Sequence, residues 1–222
     1  MADLNLLKMT VQTSNSPASK PARTVSTPLE WSEVAAGVRI EDFRLDNVRA
    51  RLARTGDLWK PLLAAVNGYA VGGGFELVLG CDIVVAAEHA RFGLPEVRRG
   101  LMADGAGIHR LMRRVPYAAA MAMVLSGQFV EAPEALRIGL INEVVPAAEL
   151  RAAAERWVAH IMECAPLSLR ASKEAALRGL DMPLSDAVGR VFPEAEKLYE
   201  SADFIEGPLA FSQKRPPEWK GR

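Results

Sequence analysis

The stretch KPLLAAVNGYAVGGGFE, residues 60–76, decides how the rest of the chain is read. Leu62-Leu63-Ala64-Ala65-Val66 is an unbroken apolar run ending in the turn pair Asn67-Gly68, the pattern of a strand buried on both faces. Gly72-Gly73-Gly74 follows, and Phe75 to Leu79 reads as a short buried helix. Glycines between a strand and a helix let backbone approach a ligand without Cβ hindrance, and the N–H groups of the helix start face outward. That suits an anion or a developing oxyanion; a tight strand-to-helix packing turn is the plainer alternative. Two phosphate-binding patterns are excluded, since GxGxxG would need a glycine where Leu77 stands and no GK[ST] follows.

Working outward, Ile83 to Ala87 is a second buried strand, and Arg91-Phe92-Gly93 is a short extended piece leading into Leu94-Pro95-Glu96. Beyond about residue 105 the pattern predicts helices over 106–114, 117–126, 133–138, 147–163, 167–178, 184–201 and 203–213, with one strand at Leu140 to Val145. Pro193 splits or bends the helix it falls in. Upstream, residues 11–28 are rich in Ser, Thr and Pro and read as a flexible leader. Leu45, Val48 and Leu52 give the stripe of an amphipathic helix from Glu41 to Arg54. The expected layout is a leader over 1–40, an α/β core over 41–145 and a helical region over 146–222.

Two carboxylates stand out. Glu76 lies inside the apolar segment FELVLG, and Glu96 ends an extended piece. A carboxylate in apolar surroundings suffers a desolvation penalty that suits it to acid–base work, and two together could hold one water. The plainer reading makes Glu76 a helix N-terminal residue and Glu96 a solvated loop charge.

Composition narrows the classes. The 222 residues are 50% hydrophobic and carry 27 basic and 27 acidic side chains, so no global basic field exists to hold nucleic acid or an anionic membrane. Cys81 and Cys164 form no CxxC pair, and His89, His109 and His160 lack metal-ligand spacing; no metal, no disulfide framework and a reducing cytoplasm are expected. No run reaches a membrane span or a signal peptide.

Residues 60–76, with Cys81-Asp82-Ile83, Phe92-Gly93-Leu94-Pro95-Glu96, Ser126-Gly127 and Gly139-Leu140-Ile141, resemble the core motif of the crotonase (enoyl-CoA hydratase/isomerase) superfamily, over roughly residues 58–222. The ending Ile205 to Phe211 with Trp219-Lys220-Gly221-Arg222 is similar to its carnitinyl-CoA dehydratase members. The resemblance implies a ββα spiral core, here shortened at its N-terminus, and an α-helical C-terminal trimerisation region. It implies a homotrimer or dimer of trimers acting on an acyl-CoA, with coenzyme A as part of the substrate and no other cofactor. By the same resemblance Glu76 and Glu96 share the catalytic water, the Gly73 N–H donates to the enolate-like thioester oxygen, and Gly72, Pro95, Asp104 and Lys214 contact substrate.

The family places a second oxyanion donor in an upstream Ala-Gly-x-Asp segment, whereas the corresponding place here reads Thr27-Pro28-Leu29-Glu30-Trp31-Ser32-Glu33. The alternative implied is an acyl-CoA-binding relative with impaired chemistry and an open sheet edge. Asp104 is either a further acid or base or the N-cap of the next helix, and His109 is expected to be a packed helix residue. Lys214, with Arg215 beside it, matches a position that reaches coenzyme A phosphates across a subunit boundary. Arg98, Arg99, Arg110, Arg113 and Arg114 are read mainly as solvated helix surface.

Overall fold

The computed structural model describes residues 58–222 in full and Leu7–Gln12 by their backbone; the expected helix from Glu41 to Arg54 and the rest of the leader lie outside the described residues. The chain divides into two units, the first built on 62–155 and the second on 156–222 with the segment that ends at Pro61. The division falls between Glu155 and Arg156, later than the expected boundary at 145.

The first unit holds two sheets. One has the strand order β1 (Leu7–Gln12), β2 (Leu62–Asn67), β4 (Ile83–Ala87), β7 (Glu143–Val145), all neighbours parallel. The other joins β3 (Tyr69–Val71) in parallel to β5 (Arg91–Gly93), which meets β6 (Val130–Glu131) antiparallel. Side chains complete the parallel ladder where two chain segments meet it. Leu62 N–H donates to Asp82 Oδ2 at 2.7 Å while Asp82 N–H donates back to Leu62 O at 2.9 Å. Asn142 does the same for Val84, at 2.8 and 2.9 Å. Each pair satisfies backbone groups that burial would otherwise strand.

Two sequence expectations change here. Leu7–Gln12, inside the expected leader, is a strand paired in register with Leu62–Asn67. Its alternation of Leu7, Met9 and Val11 with Lys8, Thr10 and Gln12 is the period of a strand, and β2 therefore has a neighbour on each side instead of an open edge. The strand expected at Leu140 to Val145 is confined to β7, because Gly139 turns at φ 78° and Leu140 and Ile141 enter the core from irregular chain.

Around the sheets lie α1 (Gly73–Leu79), a 3-10 helix (Pro95–Arg99), α2 (Gly107–Arg114), α3 (Tyr117–Ser126) and α4 (Ala132–Arg137). Phe75, Val78, Phe92, Leu94 and Leu111 fill the core between them, with the Phe75 and Phe92 rings 5.7 Å apart at 54°. After a 3-10 turn at Ala147–Glu149, α5 (Leu150–Met162) runs across the division.

The second unit packs α6 (Pro166–Gly179), α7 (Leu184–Val188), α8 (Pro193–Tyr199) and α9 (Ala202–Ser212). Pro193 starts α8, so the helix expected over 184–201 is two. Arg178 stacks its guanidinium 5.2 Å from the centre of the buried Trp59 ring, and Lys173 Nζ donates to Lys60 O at 2.9 Å. After α9 the chain turns at Lys214, φ 53°, and returns along the helix. Arg215 grips Glu206 through two bonds of 2.6 and 2.8 Å, Lys220 and Gly221 donate their amides to the buried Asp203, and Ala202 N–H reaches Arg222 O at 2.9 Å.

Candidate active site

The glycine turn after β3 brings together four of the predicted residues, Gly72, Gly73, Glu76 and Glu96. Gly72 takes φ 56° and ψ −129°, a conformation that only glycine adopts cheaply. Its N–H donates to Gly93 O at 3.0 Å and its carbonyl accepts from Glu76 N–H at 2.9 Å, so β5 and the first turn of α1 are both fixed to it. A Cβ on Gly72 would stand 2.9 Å from Glu96 Oε1. The Glu96 carboxylate therefore lies against the turn from which α1, and Glu76 with it, sets out. By contrast, a Cβ on Gly73 or Gly74 would meet no heavy atom of the described residues within 4 Å.

Glu76 sits in the first turn of α1 and is 4% exposed. Its position there favours a negative charge, as the plainer reading required, but its burial marks it out. Gly107 N–H donates to its Oε1 at 3.1 Å. Arg110, one turn further along α2, feels the same carboxylate: burial and then Arg114 pull its guanidinium below the ordinary range, and Cys81 and Glu76 oppose them.

Glu96 is the second residue of the 3-10 helix that Pro95 opens, not the end of an extended piece, and it is partly buried rather than solvated. Pro95 itself is buried, and a Cβ on Gly127 would stand 3.2 Å from its Cα. Arg98 Nε bonds to Ser126 O at 2.8 Å, closing the 3-10 helix onto the end of α3.

Asp104 lies exposed in the turn before α2. The N-cap position of α2 is Ala106, at φ 74° and with no side-chain cap, so the capping role weighed for Asp104 is not taken up. His109, expected to pack, is exposed on α2. Of the arginine cluster, Arg98, Arg99 and Arg113 are exposed as expected, while Arg110 and Arg114 are half-buried. Arg114 donates to Val78 O at 3.4 Å and to Cys81 O, bracing the end of α1 from α2, and burial lowers its guanidinium first of all. Lys214 is exposed in the other unit. There a cavity of about 720 Å³ is lined by Ile205, Leu209, Pro216 and Pro217 around the Glu206–Arg215 pair. None of the predicted site residues lines it.

The sequence reading missed Gly105 and Gly107, which close on Glu76 from α2. The signal was present: Gly107 opens a helix where glycine is a poor helix former, directly after Gly105-Ala106. Among the described residues no helix is long and apolar enough to cross a membrane, and no group of three or more His, Cys, Asp or Glu could hold a metal.

The sequence pattern of the enoyl-CoA hydratase/isomerase family matches residues 33–222, starting earlier than the resemblance over 58–222 indicated. A LigD primase-polymerase domain pattern matches residues 5–59. The chain is 44% identical over 177 residues to carnitinyl-CoA dehydratase from Escherichia coli strain K12, covering 78% of this chain and 68% of that protein. Enoyl-CoA hydratase from Bacillus anthracis superposes with a TM-score of 0.75 at 33% identity, over 84% of this chain and 73% of that one. Enoyl-CoA hydratase from Mycobacterium tuberculosis H37Rv does so with a TM-score of 0.70 at 37% identity, over 74% of this chain. The alignment spans just under two thirds, 65%, of that relative's length.

Proposed function

The chain belongs to the enoyl-CoA hydratase/isomerase family and has its α/β fold, and from that premise we propose that it is a hydro-lyase adding water to, or removing it from, a 2-enoyl-CoA thioester. Glu76 orients the water and takes its proton, and Glu96 delivers a proton to the α-carbon. The thioester oxygen becomes enolate-like in that step and is met by the N–H of Gly73. The observation that carries the reading is that both glutamates are tied to one glycine turn: the Glu96 carboxylate lies on Gly72, and Glu76 rises from the helix that starts there, where a Cβ on Gly73 or Gly74 would meet none of the described residues within 4 Å.

The finer parts of the proposal follow the relatives. A carnitine-type acyl group is the substrate that the similarity to carnitinyl-CoA dehydratase favours. In this reading Asp104, exposed just before α2, serves as a further acid or base toward such a group, and Lys214 as a contact to coenzyme A phosphates in a homotrimer or dimer of trimers. The reaction draws on no cofactor beyond coenzyme A in the substrate.

The test is hydration of crotonyl-CoA and crotonobetainyl-CoA by the purified chain, followed by loss of the conjugated enoyl-thioester absorbance. Turnover that disappears in Glu76→Gln and Glu96→Gln, with acyl-CoA still bound, is the expected result. A second reading, acyl-CoA binding without turnover, is favoured by one observation: Thr27 to Glu33 stand at the place of the second oxyanion donor without an Ala-Gly-x-Asp, and the family match begins only at residue 33. Robust turnover by the unmodified chain would remove it, whereas binding with no turnover would establish it.

A further inference from the structure

We propose that Gly105 and Gly107 are positioning residues for Glu76: the missing side chain at both, and the amide of Gly107, hold the carboxylate in the pose from which it takes a proton. The proposal rests on the reading of Glu76 as the base. It begins from an inversion in the turn before α2. Ala106 takes φ 74°, the left-handed conformation that favours glycine, while Gly105 and Gly107 are not among the residues with positive φ. Glycine is thus absent where the backbone would welcome it and present on both sides where the backbone does not call for it. What the two glycines supply is space.

One side chain uses that space. A Cβ on Gly105 would stand 2.3 Å from Glu76 Oε2, 2.7 Å from its Cδ and 3.0 Å from Oε1. A Cβ on Gly107 would stand 2.8 Å from Glu76 Cγ, 2.9 Å from Oε1 and 3.3 Å from Cδ. Among the described residues the three nearest heavy atoms at both positions are Glu76 atoms, and they are the far end of a side chain with three rotatable bonds. A methyl group at either place therefore need not break the core; it displaces the carboxylate. The hydrogen bond from Gly107 N–H to Oε1 at 3.1 Å then fixes which way the displaced group must be pulled back. Position is what such a clamp controls, and a shift of about 1 Å at a reacting group costs on the order of 100-fold in rate.

The experiment compares Gly105→Ala, Gly107→Ala, Ala106→Gly and Glu76→Gln in the full chain, reading kcat and KM for crotonyl-CoA, thermal melting, and hydrogen exchange of the Gly107 amide. Both alanine variants are expected to fold, to keep KM and to lose kcat by about 100-fold. Ala106→Gly, which relieves the left-handed alanine without adding an atom near Glu76, is expected to keep kcat. The Gly107 amide is expected to exchange faster in Gly105→Ala than in the parent. Turnover lost in Glu76→Gln but kept in Gly105→Ala and Gly107→Ala would overturn the proposal alone. Turnover kept in Glu76→Gln would remove the base and the proposal with it. Alanine variants that fail to fold, or an equal loss of kcat in Ala106→Gly, would make the turn a structural element and overturn it as well.

Discussion

Each of the two units buries carboxylates, and it treats them differently. In the helical unit Glu174 is fully buried; its oxygens meet Arg178 Nε at 3.0 Å and the amide of Glu194 at 2.7 Å. Glu194 is held in turn by Arg170 at 2.6 Å and Lys197 at 2.7 Å, and Asp203 takes two backbone amides. In the sheet unit Glu76 is just as buried, yet among the described residues it forms no ion pair and takes a single amide. Compensated carboxylates hold helices together, because a buried charge is tolerated where cations and donors surround it. Glu76 is left with one neutral donor among the described residues, the Gly107 amide, at a cost the fold bears for some other end. The contrast sets the ion-paired carboxylates of one unit apart from the amide-bonded carboxylate of the other without reference to any relative.

The largest effect that could break this contrast is in rate. Glu76→Gln is expected to lower hydration of crotonyl-CoA by about 10²- to 10⁴-fold, while thermal melting stays level or rises because an undercompensated buried charge has gone. Glu174→Ala is expected to do the reverse: stability falls by about 3–5 kcal/mol, since Arg178 and the Glu194 amide lose the partner they share, while turnover per folded molecule is kept. Urea denaturation of both variants checks the pair, and equal destabilisation would erase the distinction. A smaller effect is expected in the turn facing Glu76, where Ala106→Gly should raise stability by about 1 kcal/mol in the same urea experiment, because φ 74° costs alanine more than glycine.

The smallest effect concerns a carboxylate that is neither buried nor reactive. Glu206 is held down to about 2, first by its hydrogen bonds to Arg215 and then by the Glu218 amide. A carboxyl whose folded value lies below its unfolded one contributes stability that is complete above the ordinary carboxylate range and fades as pH falls toward that folded value. Melting of the parent should therefore lose a small increment between about pH 4.5 and about pH 2 that Glu206→Gln lacks, with solvent screening keeping it slight. An equal fall in both proteins would mean that the Arg215 clasp contributes nothing.

Much of the sheet unit was legible because its signals are local. The run Leu62 to Val66 and the run Ile83 to Ala87 are apolar without interruption and became β2 and β4, and the glycines before Phe75 marked the start of α1. Glu76 and Glu96 were legible as chemistry, since a carboxylate within FELVLG asks for an explanation. What escaped depended on partners distant in sequence. Leu7–Gln12 is too short and too polar to declare itself without β2 beside it. The arginines of α2 look solvated until the carbonyls at the end of α1 are brought to Arg114. Glu96 gave no hint of its 3-10 helix, because Leu-Pro suits an extended chain equally well.

The pairing of β1 with β2 has a kinetic consequence. During synthesis Leu7–Gln12 leaves the ribosome before its partner Leu62–Asn67 exists, whereas β2 and β4 follow one another closely and can pair as soon as both have emerged. Bringing β1 to β2 across the many residues between them in sequence costs chain entropy before their ladder returns any. The sheet is thus expected to assemble from β2 and β4, with β1 docking after them. Pulse-labelled hydrogen exchange during refolding would register this order, protecting the amides of Ile83–Ala87 ahead of those of Leu7–Gln12.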